Sequence, residues 1–138
     1  MQTFLPYSSF VESAGALDNR RLGKQRVETM QILNALSRAD YGWQNHPAVK
    51  MWRGHEHQLI IYGLAICLEW RKRGFKDTCF DKIELFLTLY PHNTAKFDWV
   101  TDDLCRSHQS NLKRKDPAHY GPLWPDVPDN LPYVWPIV

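Results

Sequence analysis

Arg21, Lys24, Gln25 and Glu28 stand three and four residues apart, the spacing that brings side chains to one face of a helix. Arg26 adds a further cation to the same stretch, "ALDNRRLGKQRVETMQIL". Cations around a carboxylate favour its ionised form, and a helix is a rigid mount from which Arg and Lys can hold phosphate. The set therefore suits base chemistry beside a nucleic-acid backbone. A surface helix laced with intrahelical ion pairs would show the same spacing, so the pattern alone leaves both readings open.

Two other constellations carry chemical groups. In "RSHQSNLKRKDPAHY", Arg106, His108, Ser110, Lys113 and Lys115 crowd one helix and its exit, a combination that can contact phosphate or simply be solvated. The six histidines include "HEH" at 55–57, but residues two apart on a helix point in different directions, and HxxxH is absent. No zinc or other metal site is expected, and His46 beside Pro47 is as much a loop hydrogen-bonder as a catalyst. Serine-hydrolase, Walker and dinucleotide motifs are missing, so acyl transfer and nucleotide hydrolysis have no support in the sequence.

These groups need elements to hold them. The 138 residues suffice for one domain with a real core, and 43% apolar with 23% charged residues is a globular composition. A net charge of +2 gives no global cationic field, so any nucleic-acid binding must come from local clusters. Three cysteines without CxxC spacing predict a reducing, cytoplasmic setting, and no stretch of about 20 apolar residues predicts a membrane span. A monomer is expected.

Ser8 or Ser9 can cap a short first helix, and Asp18 a longer one running to about Arg38. Its apolar residues Leu22, Met30, Leu33 and Leu36 predict a packed side, with Arg21, Lys24, Gln25 and Glu28 on the other. A helix from Pro47 to Arg73, stopped by Gly74 and apolar nearly all round, is expected to be the buried central element. Short helices follow, one capped by Asp77 or Thr78 and one from Thr101 to Lys115. Residues 116–138 hold six of the nine prolines with two Trp and two Tyr. They predict an ordered, extended wrap rather than a regular helix. The fold class is all-α: three to five helices around a buried central one, as a single domain over 1–138. Tyr41, Trp43, Trp124, Tyr133 and Trp135 could stack on DNA, but anchoring the loop and tail is their expected role.

"LDNRRLGKQRVE" resembles the "LDxxRLxxQxxE" helix of the bacterial pyrimidine-dimer DNA glycosylases, the family whose phage member is called endonuclease V. "NHPAVKMWRG" and "EWRKRGFKDT" are similar to the loop that feeds that family's central helix and to the helix's end. The resemblance implies an all-α protein that binds damaged duplex DNA, flips a nucleotide and attacks C1′ with its own α-amino group, forming a Schiff base before β-elimination. An α-amine suits this attack, because α-amines as a class keep a useful neutral fraction at physiological pH. By position Glu28 is the essential glutamate, with Arg21 and Gln25 lining the pocket and Lys24 and Arg26 nearer the backbone. His46, Arg53, His108, Lys113 and Lys115 complete the expected DNA contacts, with neither metal nor organic cofactor. The departure is Gln2, where the phage enzyme has a small residue after the initiator Met, so Met1 or Gln2 would carry the amine. A non-catalytic DNA-binding protein and a hydrolytic glycosylase are the alternatives.

Overall fold

In the computed structural model, which describes residues 1–136, every regular element is helical. An extended segment over residues 1–7 leads into α1 (Phe10–Ala16), whose cap Ser9 accepts the Glu12 amide hydrogen at 3.1 Å. Asp18 caps α2 (Asn19–Ser37) in the same way through the Arg21 amide. Short α3 (Pro47–Lys50) precedes α4 (Glu56–Lys72), followed by α5 (Phe80–Glu84) with a 3-10 turn over Leu85–Thr88. The last two are α6 (Asp102–Lys115), capped by Thr101, and α7 (Pro117–Tyr120), with Pro117 in its first turn. Among the described residues there are seven α-helices rather than three to five, the additional ones being single turns.

The helix expected from Pro47 to Arg73 is broken. Gly54 adopts φ 89° and turns the chain, and its carbonyl accepts the amide hydrogens of Thr94 and Ala95 at 3.1 and 3.2 Å. A left-handed residue ends helical propagation, so sequence periodicity on both sides of Gly54 belongs to two helices. The break lets fully buried Trp52 donate its indole N–H to Thr3 Oγ1 at 2.9 Å. At the far end Gly74, φ 91°, stops α4 as expected.

α4 is the central helix, packing on α2, α1 and α5. Leu59, Ile60, Tyr62, Gly63, Ile66 and Cys67 are its buried face. It is not covered all round: Ile61 and Leu68 are exposed beside Val11 of α1. Beyond α7 the chain runs irregularly along α6. Leu131 and Val134 donate backbone N–H groups to Ser110 and Ser107 hydroxyls, while the Lys113 ammonium donates to the carbonyls of Trp124 and Val127. Tyr120, stacked on Trp124, hydrogen-bonds through its hydroxyl to the Asp18 carboxylate and so ties this segment to the start of α2. Among the described residues no helix is long and apolar enough to cross a membrane.

Candidate active site

α2 does not divide into an apolar and a chemical side. Gln25 and Glu28 are buried, 1% and 7% exposed, in line with Leu22, Thr29, Ile32 and Leu33. A polar side chain so placed must be hydrogen-bonded, and here the partner is the N-terminal segment. That segment has no neighbouring strand, so side chains take the place of a sheet ladder. The Gln2 N–H faces Glu28 Oε2 at 3.3 Å, the Phe4 N–H donates to Gln25 Oε1 at 3.1 Å, and the Leu5 N–H donates to His108 Nδ1 at 2.8 Å. Pro6 has no N–H, and its carbonyl accepts Gln109 Nε2 at 2.7 Å.

Gln25 is the hub. Its Nε2 donates to the Gln2 carbonyl at 2.8 Å and to Glu28 Oε2 at 2.9 Å, while its Oε1 accepts from Phe4 and from the Tyr62 hydroxyl at 2.7 Å. Two donors and two acceptor sites exhaust a glutamine amide, so its orientation, and with it that of Glu28, is fixed. Burial, then the Glu28 carboxylate, pushes the Tyr62 hydroxyl well above its usual range, so it remains a donor. Glu28 turns its other oxygen towards Lys24 Nζ at 3.7 Å.

This assembly forms the floor of a cleft of about 350 Å³. Met1, Gln2 and Phe4 line one part, and Arg20, Arg21, Lys24, Gln25 and Glu28 of α2 another. Lys115 ends α6 at its edge, and Tyr133 and Trp135 close it. Arg20, Lys24 and Lys115 are exposed, whereas Arg21 is half-buried and paired with Asp18 at 3.3 Å. The volume lies in the range of small-molecule sites, with cations at the rim and one oriented carboxylate within. His46, the cap of α3, does not line the cleft but senses it. Burial and then the Met1 amino group hold its pKa below the ordinary value, with Glu28 acting in the opposite sense.

The cleft therefore unites Met1, Gln2, Arg21, Lys24, Gln25, Glu28 and Lys115 of the expected set. Others are elsewhere. His108 is fully buried and cannot reach phosphate; its role is to hold Leu5. Lys113 is engaged by tail carbonyls, and Arg26 by Asp77 at 2.7 Å beneath the Trp70 ring at 4.4 Å. Arg53 is exposed on the turn after α3, 3.5 Å from Gln44. Arg20 and Phe4 were not expected; the signal for Arg20 was its place four residues before Lys24 and eight before Glu28. Tyr133 and Trp135 form cleft wall as well as anchoring the tail. No group of three or more metal-ligating side chains occurs among the described residues.

Searches of curated proteins and of solved structures gave no significant match. The family model described as pyrimidine dimer DNA glycosylase matches residues 1–83. That stretch holds the N-terminal segment, the Gln25–Glu28 assembly and the central helix against which both are packed, and the chain belongs to the pyrimidine dimer DNA glycosylase family.

Proposed function

We propose that this protein is a DNA glycosylase with associated abasic-site lyase activity, acting on a pyrimidine dimer or another damaged or modified base in duplex DNA through an N-terminal amine. The observation that carries this reading is the backbone nitrogen of Gln2 held 3.3 Å from Glu28 Oε2, with Gln25 gripping both. An amine at the head of this segment opens into the same cleft as the fixed carboxylate, and cationic side chains rim that cleft. Met1 carries that amine if retained. If Met1 is removed, the freed nitrogen is the one already beside Glu28.

The amine lone pair forms a bond to C1′ as the glycosidic C1′–N bond breaks, and the base leaves with the bonding electrons and takes a proton from solvent water. Glu28 accepts the proton that the amine sheds and returns it to O4′ as the sugar ring opens to the iminium. The carboxylate then balances that cation. Loss of a C2′ proton sends electrons towards the iminium and expels the 3′ phosphate, cutting the strand. Arg20, Arg21, Lys24 and Lys115 hold the flanking phosphates.

Borohydride trapping on ultraviolet-irradiated and on abasic duplex tests this. A covalent adduct is expected, with the mass of the linked peptide identifying Met1 or Gln2. Glu28→Gln should lower its formation at least about 100-fold, the low end of general acid–base contributions. Absence of an adduct overturns the lyase reading, and an adduct undiminished in Glu28→Gln overturns the role of Glu28. Base release without strand scission would instead identify a hydrolytic glycosylase, and salt-sensitive binding that survives N-terminal acetylation without turnover a non-catalytic DNA binder.

A further inference from the structure

Trp43 is a bulky residue in the left-handed region, φ 70°, with 58% of its surface exposed. Either feature alone is unfavourable, and together they serve no interior packing. The loop that carries it is held firmly. Gln44 Nε2 donates to the carbonyls of Ala35, Arg38 and Tyr41 at 2.7, 2.8 and 3.1 Å, and the His46 amide closes the turn on the Trp43 carbonyl at 3.0 Å. The strained backbone is thus imposed by its surroundings, and the indole is displayed rather than loose.

Its position relates it to the cleft. The Trp43 ring meets His46 edge-on at 5.8 Å, and His46 meets Trp135 edge-on at 6.4 Å. Trp135 lines the cleft. Trp43 therefore stands one ring, His46, away from the cleft wall, facing solvent on a firmly held loop. Drawing a nucleotide out of a duplex leaves a gap between the neighbouring base pairs, and an inserted apolar side chain recovers part of the lost stacking.

We propose that Trp43 is a wedge that enters the base stack beside the flipped nucleotide and holds the opened duplex on the cleft. This rests on the glycosylase reading for its context but not on the lyase chemistry. Trp43 is a positioning residue: it shapes the duplex, and the cleft does the reaction.

The full-length protein, Trp43→Ala and Trp43→Phe would be titrated by fluorescence anisotropy with three DNAs: a duplex with a tetrahydrofuran abasic site, the intact duplex, and the tetrahydrofuran single strand. Tetrahydrofuran lacks the C1′ leaving group and cannot form a Schiff base, so binding is read without catalysis. Trp43→Ala should weaken binding to the tetrahydrofuran duplex about tenfold, as expected for one lost stacking contact, and to the single strand no more than twofold. Trp43→Phe should stay within about threefold of the parent on every DNA. Equal losses of Trp43→Ala on all three DNAs, no loss on the tetrahydrofuran duplex, or no DNA binding by the parent would each overturn the wedge. Borohydride trapping on a natural abasic duplex separates the two ideas: failed trapping with the binding pattern intact removes the lyase and leaves the wedge.

Discussion

His108 accepts the Leu5 N–H at Nδ1, so its own proton sits on Nε2 and the ring is neutral. Nε2 has no hydrogen-bond partner, and the rings of Phe4 and Tyr133 stand edge-on to the imidazole at 6.1 and 5.8 Å. Burial pushes its pKa from 6.5 down to about 3. The unfolded chain takes up a proton below about pH 6.5 that the folded chain refuses, so this stability is present above that pH and is lost as pH falls. Urea unfolding between pH 7 and 4.5 should show a decline of about 1.4 kcal/mol per pH unit from this group once below pH 6. His46 and His55, shifted the same way, add to it. His108→Gln, whose amide oxygen can still accept from Leu5, should flatten the profile. An unchanged slope would mean that His108 is protonated in the folded protein.

α2 and α4 meet where Gly63 allows close approach. A Cβ there would lie 2.6 Å from Thr29 Cγ2 and 3.3 Å from Ile83 side-chain atoms, so no other residue fits without moving α2 or α5. Thr29 follows Glu28 directly, which makes this crossing the support of the candidate site as well as of the core. Gly63→Ala gains about 1 kcal/mol of helix propensity, but overpacking costs about 1–3 kcal/mol. Urea denaturation should show a net loss of up to about 2 kcal/mol, and trapping should weaken with it. A more stable Gly63→Ala would show that α2 can retreat freely. Gly23 has the same function one layer away, under the Trp70 ring, where a Cβ would come within 2.9 Å.

With a net charge of +2 the molecule has little overall field, and its affinity for DNA must come from where the cations are brought together. α2 supplies Arg20, Arg21 and Lys24, and the last residue of α6, Lys115, joins them across the cleft. Each phosphate contact contributes about 0.9 to the slope of log affinity against log salt. Lys115→Met should reduce that slope by about 0.9 in a salt titration of duplex binding. Arg26→Met should leave the slope as it is and lower stability instead. The Asp77 side chain is fully buried and receives the Arg26 guanidinium at 2.7 Å, so removal of Arg26 weakens the support of a buried carboxylate. Slopes that fell equally for both variants would put Arg26 back on the DNA.

Local rules settled what the local chain controls. Ser9 and Asp18 cap the helices they were expected to cap, and Gly74 ends α4, because capping and left-handed turns depend on a few neighbouring residues. The all-helical class and the 17–28 motif were legible for the same reason. Gly54 was not, since a break inside a strongly apolar pattern is decided by the hydrogen bonds it makes to Thr94 and Ala95, far along the chain. The burial of Gln25 and Glu28 was equally hidden: periodicity assigns polar residues to the outer face, and only the threaded N-terminal segment supplies partners that make the inner face affordable. The sequence by itself determined which residues could do chemistry and the helix that carries most of them. Tertiary structure alone decided that His108, Lys113 and Arg26 hold the scaffold while Arg20, Phe4, Tyr133 and Trp135 complete the cleft, because long-range contacts set burial and hydrogen-bond partners.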